Sequence, residues 1–292
     1  MSSENPEVSR KSFAALGHAG ARPYLIGSGL AMMADSIEHV ISYWMIFEKF
    51  HSPALGGFAV ISHWLPFLLF SVHAGALADR FDPRRMIQIG MGLFMLASLG
   101  WGILFFTGTL EKWHAMVLLA VHGVAGVFWT APGQILVHDI VGPRELPSAV
   151  RLLATSRTLG LLLGPAVGGA AMLIFGPALG ILLNIGVYVP LTWWLIAAPF
   201  GPRFRKPEDA PAQMPMRGFS DIWQTMRAVA HDRVIVSMTL MAGAGALFIG
   251  TAFQAQMPEF STRFVSDGSP IVYNILLFAN ASGAVAAGIG LE

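Results

Sequence analysis

The chain has 292 residues, of which 54% are hydrophobic and only 12% are charged, and its formal net charge is +1. A soluble domain carries about 25% charged residues, so this composition excludes an ordinary water-soluble protein and indicates a chain solvated mainly by lipid. There is no basic tract interleaved with aromatic residues, as nucleic-acid binding would favour. The absence of cysteine excludes disulfides, thiolate catalysis and cysteine metal ligands.

Eight apolar segments follow one another along the chain. They cover about residues 23–47, 55–78, 86–110, 115–138, 148–174, 176–199, 234–257 and 270–291. Each is long enough to cross a bilayer about 30 Å thick as a helix, the form in which a backbone in hydrocarbon satisfies its own hydrogen bonds. The sequence therefore predicts an all-α, multi-pass membrane protein whose surroundings are a lipid bilayer.

Basic residues divide unequally between the two sides of this predicted topology. Of the 18 Lys and Arg residues, all but Lys49, Lys112, Arg263 and the intramembrane Arg157 share one side with the N-terminus. Cytoplasmic loops are enriched in basic residues. We therefore expect the N-terminus and loops 2-3, 4-5 and 6-7 in the cytoplasm.

A proline-rich stretch after the sixth segment divides the predicted helices into two groups. The expected regions are a cytoplasmic tail at 1–22, a six-helix transmembrane bundle at 23–199, a cytoplasmic linker at 200–232 and a partial second bundle of two helices at 233–292. Within the linker, residues 220–229 combine a capping residue with apolar positions three apart. This pattern predicts a short helix lying on the membrane surface.

The first apolar segment carries the residues that bear most directly on mechanism. Asp35 lies about 18 Å along the helix from Pro23, and thus near the middle of the membrane. Glu38 and His39 follow three and four positions later, so the three side chains share one helix face. Ionisable groups facing lipid cost several kcal/mol. This face must therefore line a cavity or satisfy itself.

Three interpretations of this face are open from the sequence. Two crowded carboxylates beside a histidine make a proton relay, which we favour because ionisable residues at this depth are functional by default. Alternatively, the three residues form a polar network in which each satisfies the others and the protonation state stays fixed. As a third possibility, they present two oxygens and a nitrogen to a divalent cation, with His63 or His122 completing the set; we expect no resident metal.

A charged loop separates the second and third segments, with the pattern Gly75-x-Leu-Ala-Asp79-Arg80-x-x-x-Arg84-Arg85. It resembles the signature loop of the major facilitator superfamily. Asp82 and Pro83 depart from the superfamily's pattern, although an aspartate at the second glycine position also resembles the superfamily's drug and siderophore exporters, of the enterobactin and macrolide type. The resemblance implies a cytoplasmic gate that closes with the inward-facing cavity. Asp79 ends a helix, where the dipole disfavours a carboxylate, so we expect Arg80, Arg84 or Arg85, or a helix N-terminus from the other half, to hold it. The alternative is that the loop charges only follow the positive-inside bias.

The fifth segment contains a series of small residues, Gly160-x-x-x-Gly164-Pro165-x-x-Gly168-Gly169. Small residues on one face let another helix approach to backbone contact, and Pro165 loosens one helical turn. The series is similar to a motif of the superfamily's antiporters. Close packing that can slide is also what a rocking transporter requires.

Two further residues offer buried positive charge. His122 precedes Gly126 by four positions, where many superfamily members have an arginine, so a titratable group stands where the resemblance implies a permanent charge. Arg157, about six residues into the fifth segment, is the other candidate. Its side chain either supplies a buried cation for coupling or snorkels to the inner surface.

No constellation of a soluble enzyme is present: Gly-x-Ser-x-Gly, His-Glu-x-x-His and Gly-x-x-x-x-Gly-Lys are all absent. We therefore expect no catalytic residues and no cofactor. The resemblance implies a secondary transporter in a bacterial plasma membrane that exports a small amphipathic compound in exchange for protons, with no obligate protein partner. The alternative is a transport-inactive fragment or an assembly partner built on half of the fold, because the chain looks truncated after about eight of twelve helices.

Overall fold

A computed structural model describes residues 13–205, 219–245, 251–263 and 270–290. The tail before residue 13 and the proline-rich part of the predicted linker at 206–218 lie outside the described residues. The described part contains a short 3₁₀ turn at Ala14–Gly17 and eight α-helices: α1 Ala21–Phe50, α2 Pro53–Arg80, α3 Pro83–Thr107, α4 Lys112–Ala197, α5 Phe219–Val229, α6 Arg233–Gly245, α7 Thr251–Thr262 and α8 Ile271–Gly290.

Helix α4 is a chain of three helices joined at two glycines. Gly142 has φ 70° and ψ 174°, and Gly176 has φ 76° and ψ 166°. Positive φ values of this kind are accessible mainly to glycine, so the chain turns sharply at both positions. The three parts, called α4a (112–141), α4b (143–175) and α4c (177–197), correspond to the fourth, fifth and sixth predicted segments.

The expectation of an all-α membrane fold is confirmed: the described residues contain helices and turns but no strand. The helix predicted at 220–229 corresponds to α5, and its location on the membrane surface stays a prediction. The seventh predicted segment is described as two helices, α6 and α7, on either side of residues 246–250, which lie outside the described part.

By length and composition, three of the described helices could cross a membrane: α2 over Pro53–Phe70, α3, and the composite α4. Each part of α4 is itself as long as a crossing requires. The helix α1 is not among them, although it is 30 residues long, because Asp35, Glu38 and His39 interrupt its apolar sequence. Arg233–Gly245 and Ile271–Gly283 are apolar but shorter.

Segments that the sequence places on one side of the membrane meet at one end of the bundle. His18, before α1, has its Nε2 atom 2.6 Å from Glu145 Oε2 in α4b. Arg205, after α4c, donates to both carboxylate oxygens of Asp139 in α4a, at 2.7 and 2.8 Å. At the opposite end, Lys49 Nζ donates to a carbonyl oxygen in the loop after α3, at 3.0 Å. Six helices therefore run alternately up and down.

The interior contains two apolar clusters, one above the other along the bundle. The first includes Tyr24 of α1, Phe94 of α3 and Trp129 of α4a. The second includes Trp44 of α1 and Trp101 of α3, together with residues of α7 and α8. The polar residues of the candidate site lie where α1, α3 and α4a pass from one cluster to the other.

The glycines of α4b pack directly against α1. A Cβ at Gly164 would collide with Ser36 and lie 2.9 Å from the carbonyl oxygen of Met33, and a Cβ at Gly168 would lie 3.1 Å from Ile37 Cα. A Cβ at Gly160 would overlap the α1 backbone in the same way. Pro165 is buried on this helix and Gly169 faces α8. The small residues therefore bring the two helix backbones into contact.

Candidate functional site

A buried polar cluster connects three helices in the middle of the bundle. It consists of Asp35, Glu38 and His39 on α1, Ser98 on α3 and His122 on α4a, and we call this set the polar cluster. The exposed fraction of these residues ranges from 0% at Ser98 to 9% at Asp35. The shared face of α1 that the sequence predicted thus points inward, where it meets partners from two other helices.

His122 bridges the two carboxylates of α1. Its Nδ1 atom lies 2.9 Å from Glu38 Oε1, and its Nε2 atom lies 2.9 Å from Asp35 Oδ1. The contact of Nδ1 with Glu38 is a hydrogen bond, whereas Nε2 lies within ion-pair distance of Asp35 and has no hydrogen-bond partner among the described residues. His122 is therefore in direct contact with both carboxylates, and its charge acts on each of them.

Two further hydrogen bonds orient the Glu38 carboxylate and the His39 ring. Ser98 donates its hydroxyl to Glu38 Oε2 at 2.6 Å, so that both oxygens of Glu38 are engaged. His39 donates from Nδ1 to the backbone carbonyl oxygen of Asp35 at 2.8 Å, with Asp35 Oδ2 3.5 Å away. These hydrogen bonds fix the orientations of the Glu38 carboxylate and of the His39 ring.

Aromatic residues enclose the cluster on the side of the first apolar cluster. The Phe94 ring packs edge-on against His122, with 4.7 Å between ring centroids, and stacks on Tyr188 of α4c at 5.4 Å. The Tyr188 hydroxyl is buried and has no hydrogen-bond partner among the described residues. Asn184 of α4c donates to the carbonyl oxygen of Ala34 at 2.8 Å. The cluster is therefore closed off from one end of the bundle.

A third histidine completes a group that could hold a metal. His63 on α2 lies beside the cluster, with its ring centroid 5.1 Å from that of His39 and 5.9 Å from that of His122. Potential ligand atoms of these three histidines all lie within 4.8 Å of one another. The sequence left His63 and His122 as alternatives, whereas the structure brings both to the same place.

Arg157 lies apart from the polar cluster. Its guanidinium packs over the ring of Trp129, with 4.6 Å to the ring centroid, and its Nε and Nη2 atoms are buried without hydrogen-bond partners among the described residues. Trp129 in turn packs edge-on against Phe94 at 6.1 Å. An aromatic layer therefore separates this cation from the two carboxylates. The side chain does not snorkel fully into water.

The charged loop between α2 and α3 is built around Asp82 and Arg84. Asp82 caps α3 by accepting from the backbone N–H of Arg84 at 3.0 Å, and it accepts from the Arg84 guanidinium at 2.6 Å. Arg84 also donates to the carbonyl oxygen of Ala198 after α4c and packs over Phe204. The loop is thereby fastened to the chain that leaves the sixth helix.

The remaining residues of the loop motif are placed only in part. Gly75, Asp79 and Arg80 belong to α2, but the side chains of Asp79 and Arg80 lie outside the described residues, so the expected basic partner of Asp79 stays a prediction. Arg85, in the first turn of α3, is exposed. The observed partner of Arg84 is Asp82. In the sequence analysis, Asp82 was only a departure from the superfamily's loop motif.

A cavity of about 290 Å³ lies between α1, α2 and α7, near the end of the bundle that the sequence places outside. Its lining includes Tyr43, Phe47, His51, Gln256 and Glu259. The Tyr43 ring also packs against His39 of the polar cluster, with 5.1 Å between centroids. Tyr43 therefore stands between the cavity and the buried carboxylates.

Sequence reasoning missed two residues of the site. Ser98 gave no signal, because a lone serine in an apolar helix is usually bonded to its own backbone. Asp82 did give one: an aspartate immediately before a proline is typical of a helix start, with Asp as the cap and Pro in the first turn. That signal was available in Asp82-Pro83.

This fold and site define a multi-pass membrane protein whose polar interior is shared between helices of a six-helix bundle, the class to which secondary transporters belong. The family model described as transmembrane secretion effector matches residues 11–291. The chain belongs to this family of the major facilitator superfamily, as the loop and glycine motifs led us to expect.

Similarity to characterised proteins is low but extends along the chain. It is 21% identical over 267 residues to the staphyloferrin A transporter of Staphylococcus aureus and 22% identical over 264 residues to macrolide efflux protein A of Streptococcus pyogenes; each alignment covers 90% of this chain. A 119-residue part is 32% identical to a putative multidrug resistance protein of Salmonella typhi, covering 40% of this chain and 24% of that protein. The chain spans 64% of the length of the first two relatives.

The fold has a counterpart among solved structures. A bacterial homologue of the human lysosomal transporter Spinster, crystallised in an inward-facing and unoccupied conformation, aligns with a TM-score of 0.61 at 14% sequence identity. The alignment covers 92% of this chain and 61% of that one. The shared feature at this identity is the helical arrangement.

Proposed function

We propose that this protein is a secondary transporter of the bacterial plasma membrane that exports a small amphipathic compound in exchange for protons, with its N-terminus in the cytoplasm. The main support for proton coupling is the position of His122 between Asp35 and Glu38, with a ring nitrogen 2.9 Å from a carboxylate oxygen of each. Membership of a transporter family supports transport. The direction and the kind of compound are motivated by relatives named for macrolide efflux and for staphyloferrin A transport.

Coupling between protonation and helix movement follows from the cost of buried charge. Two carboxylates in the middle of a membrane protein repel each other and are poorly solvated, so their stability depends on the protons and cations around them. A doubly protonated His122 places one positive charge beside both. Loss of that charge leaves two carboxylates beside a neutral ring and favours a rearrangement of α1 against α4a. A change of proton occupancy therefore has a structural consequence, which coupling requires.

A route for protons leads from the cavity to the cluster. Tyr43 contacts His39 and lines the cavity, whereas Phe94 and Tyr188 close the opposite side. We infer that water in the cavity exchanges protons with His39 when the protein is open to the outside, and that the cluster faces the cytoplasm after α1 and α4b have moved. The close contact of their backbones supplies a surface on which rigid helices can slide.

The loop after α2 serves in this proposal as the cytoplasmic gate. Arg84 fastens it to the end of α4c through Ala198, and Gly75, Asp79, Arg80 and Arg85 form the part that meets the second bundle. Asp79→Asn is expected to leave insertion intact and to impair transport, because it removes one side of a charge-assisted contact.

The proposal is tested in proteoliposomes with an imposed pH gradient, with a radiolabelled macrolide and staphyloferrin A as probes. We expect gradient-driven accumulation in the parent protein and its loss in Asp35→Asn and in Glu38→Gln, while downhill exchange persists. Glu48→Gln is the matched control, because Glu48 is an exposed carboxylate on the same helix. Undiminished accumulation in both cluster variants would mean that Asp35 and Glu38 belong to a buried polar network with a structural role only. Unfolding of both variants would favour the same conclusion.

A further inference from the structure

Three imidazoles from three helices converge at one side of the polar cluster. They are His39 on α1, His63 on α2 and His122 on α4a, and their potential ligand atoms lie within 4.8 Å of one another. We propose that these histidines, with Asp35 as a fourth ligand, bind a divalent first-row transition-metal ion of the Zn²⁺ or Co²⁺ type. Imidazole and carboxylate ligands in this number suit such ions.

The hydrogen bond of His39 prepares one of its nitrogens for a metal. His39 Nδ1 lies 2.8 Å from the backbone carbonyl oxygen of Asp35. A carbonyl oxygen only accepts, so Nδ1 carries the hydrogen and the Nε2 atom of the neutral ring presents a lone pair. Metal-binding histidines almost always donate their other N–H in this way, which fixes both tautomer and ring orientation.

His122 has the same arrangement with a carboxylate in place of the carbonyl. Its Nδ1 atom lies 2.9 Å from Glu38 Oε1, and Ser98 anchors the other Glu38 oxygen at 2.6 Å. A carboxylate behind a ligating histidine makes the imidazole a stronger ligand. The Nε2 atom of His122 then faces Asp35 Oδ1 at 2.9 Å. An ion inserted between these two atoms would take both as ligands.

His63 supplies the third imidazole. Its Nδ1 atom is buried and has no hydrogen-bond partner among the described residues, and buried polar atoms without partners are uncommon. In a tetrahedral site with Zn–N bonds of about 2.0–2.1 Å, ligand nitrogens are about 3.4 Å apart. One potential ligand atom of each histidine already lies within 4.8 Å of the others. A contraction of about 1.5 Å, which side-chain rotations can supply, would bring such atoms to this spacing.

The charge of the site fits a dication. Asp35 and Glu38 together carry two negative charges when ionised, and a divalent ion beside neutral histidines balances them. This balance removes the cost of unpaired charge in a low-dielectric interior. Metal binding depends on the ligand geometry of the cluster and does not require transport, so that metal binding and proton coupling can fail separately.

The experiment uses the purified chain in detergent, freed of metal with a chelator and titrated with Co²⁺. Tetrahedral Co²⁺ has d–d absorption bands in the visible range that octahedral, solvent-bound Co²⁺ lacks at comparable intensity. We expect these bands to saturate at one Co²⁺ per chain and to vanish on addition of Zn²⁺. His63→Gln and His122→Gln should each weaken Co²⁺ binding by at least about 10-fold, whereas His138→Gln, a partly exposed histidine of α4a, should bind normally.

Thermal unfolding provides a second measurement for variants that fold poorly. An ion that binds only the folded state raises the unfolding temperature, so Zn²⁺ should stabilise the parent and His138→Gln but neither cluster variant. The proposal is overturned if Co²⁺ produces no tetrahedral bands, or if His63→Gln binds and is stabilised as the parent is. Either result would leave the transport assay in proteoliposomes unaffected as a test of proton coupling.

Discussion

Glu38 Oε1 and His122 Nδ1 lie 2.9 Å apart in the interior of the bundle, although the two residues are separated by 84 positions in the sequence. The contact joins the first helix to the fourth at the level where α1, α3 and α4a leave one apolar cluster and enter the other. Any movement of α4a relative to α1 has to break or remake it. We therefore expect a proton or a metal ion at this place to act on the packing of both helices.

Removal of the His122 imidazole should abolish coupling more completely than removal of Arg157. His122→Asn takes away the group that bridges both carboxylates, whereas Arg157 lies behind Trp129. We expect pH-gradient-driven accumulation to be lost in His122→Asn and reduced in Arg157→Gln, as measured with the same macrolide probe in proteoliposomes. A greater loss in Arg157→Gln would instead make the arginine the principal coupling residue.

Deletion of the Ser98 hydroxyl should destabilise the folded protein and change its response to pH. Ser98→Ala leaves Glu38 Oε2 buried without its donor, a loss of about 1–3 kcal/mol, and the pH profile of transport should move because one partner of the carboxylate is gone. Ser237→Ala is the control, since that hydroxyl is exposed and bonds its own helix. An unchanged unfolding temperature and pH profile in Ser98→Ala would argue against the observed contact.

The close approach of α1 and α4b can be tested with one methyl group. Gly164→Ala would press its Cβ against Ser36 and bring it within 2.9 Å of the carbonyl oxygen of Met33, so we expect a loss of about 1–3 kcal/mol in the free energy of unfolding. In Gly186→Ala the new methyl has open space, and the substitution should stabilise the helix by about 0.5–1 kcal/mol. Equal effects in thermal unfolding would contradict the packing.

Asp82 should contribute stability at neutral pH through its contact with Arg84. Burial acts to raise the pKa of Asp82, but hydrogen bonds from Arg84 and the charges of Arg84 and Arg85 outweigh it and hold the pKa below its ordinary value of 3.8. A carboxyl with a lowered pKa stabilises the fold above its unfolded pKa, and this contribution is lost as the pH falls through the folded value. Asp82→Asn should therefore lower the unfolding temperature at pH 7, and the difference should shrink below pH 3.8.

The control for Asp82 is Asp232→Asn, which alters an exposed helix cap. Asparagine caps about as well as aspartate, so this variant should change the unfolding temperature little at either pH. A similar, pH-independent loss in both variants would mean that the charge of Asp82 is unimportant.

The orientation in the membrane can be decided by cysteine labelling, because the native chain contains no cysteine. Thr109→Cys lies in the loop after α3, and Arg203→Cys lies after α4c. We expect an impermeant thiol reagent to label the first variant and not the second in intact cells. Labelling of Arg203→Cys from outside would reverse the assigned topology.

Much of the fold could be predicted because membrane solvation leaves few choices. The lengths of the apolar segments, the proline-rich stretch after the sixth and the loop motif together lead to a six-helix bundle with further helices. The face of α1 that carries Asp35, Glu38 and His39 also follows from helical spacing alone. The partner of Arg84 did not follow, because a loop motif gives the residue types and leaves the pairing among neighbouring charges open.

The sequence by itself determined the membrane class, the bounds of the first six helices to within about five residues and the three ionisable side chains that share a face of α1. These features depend on local hydropathy and on 3.6 residues per turn. Only the tertiary structure decided which residues meet that face. Ser98, His63 and His122 come from three other helices. They converge because glycine-lined surfaces bring particular turns of these helices to the same depth in the bundle. The periodicity of a single helix contains no information about this alignment between helices.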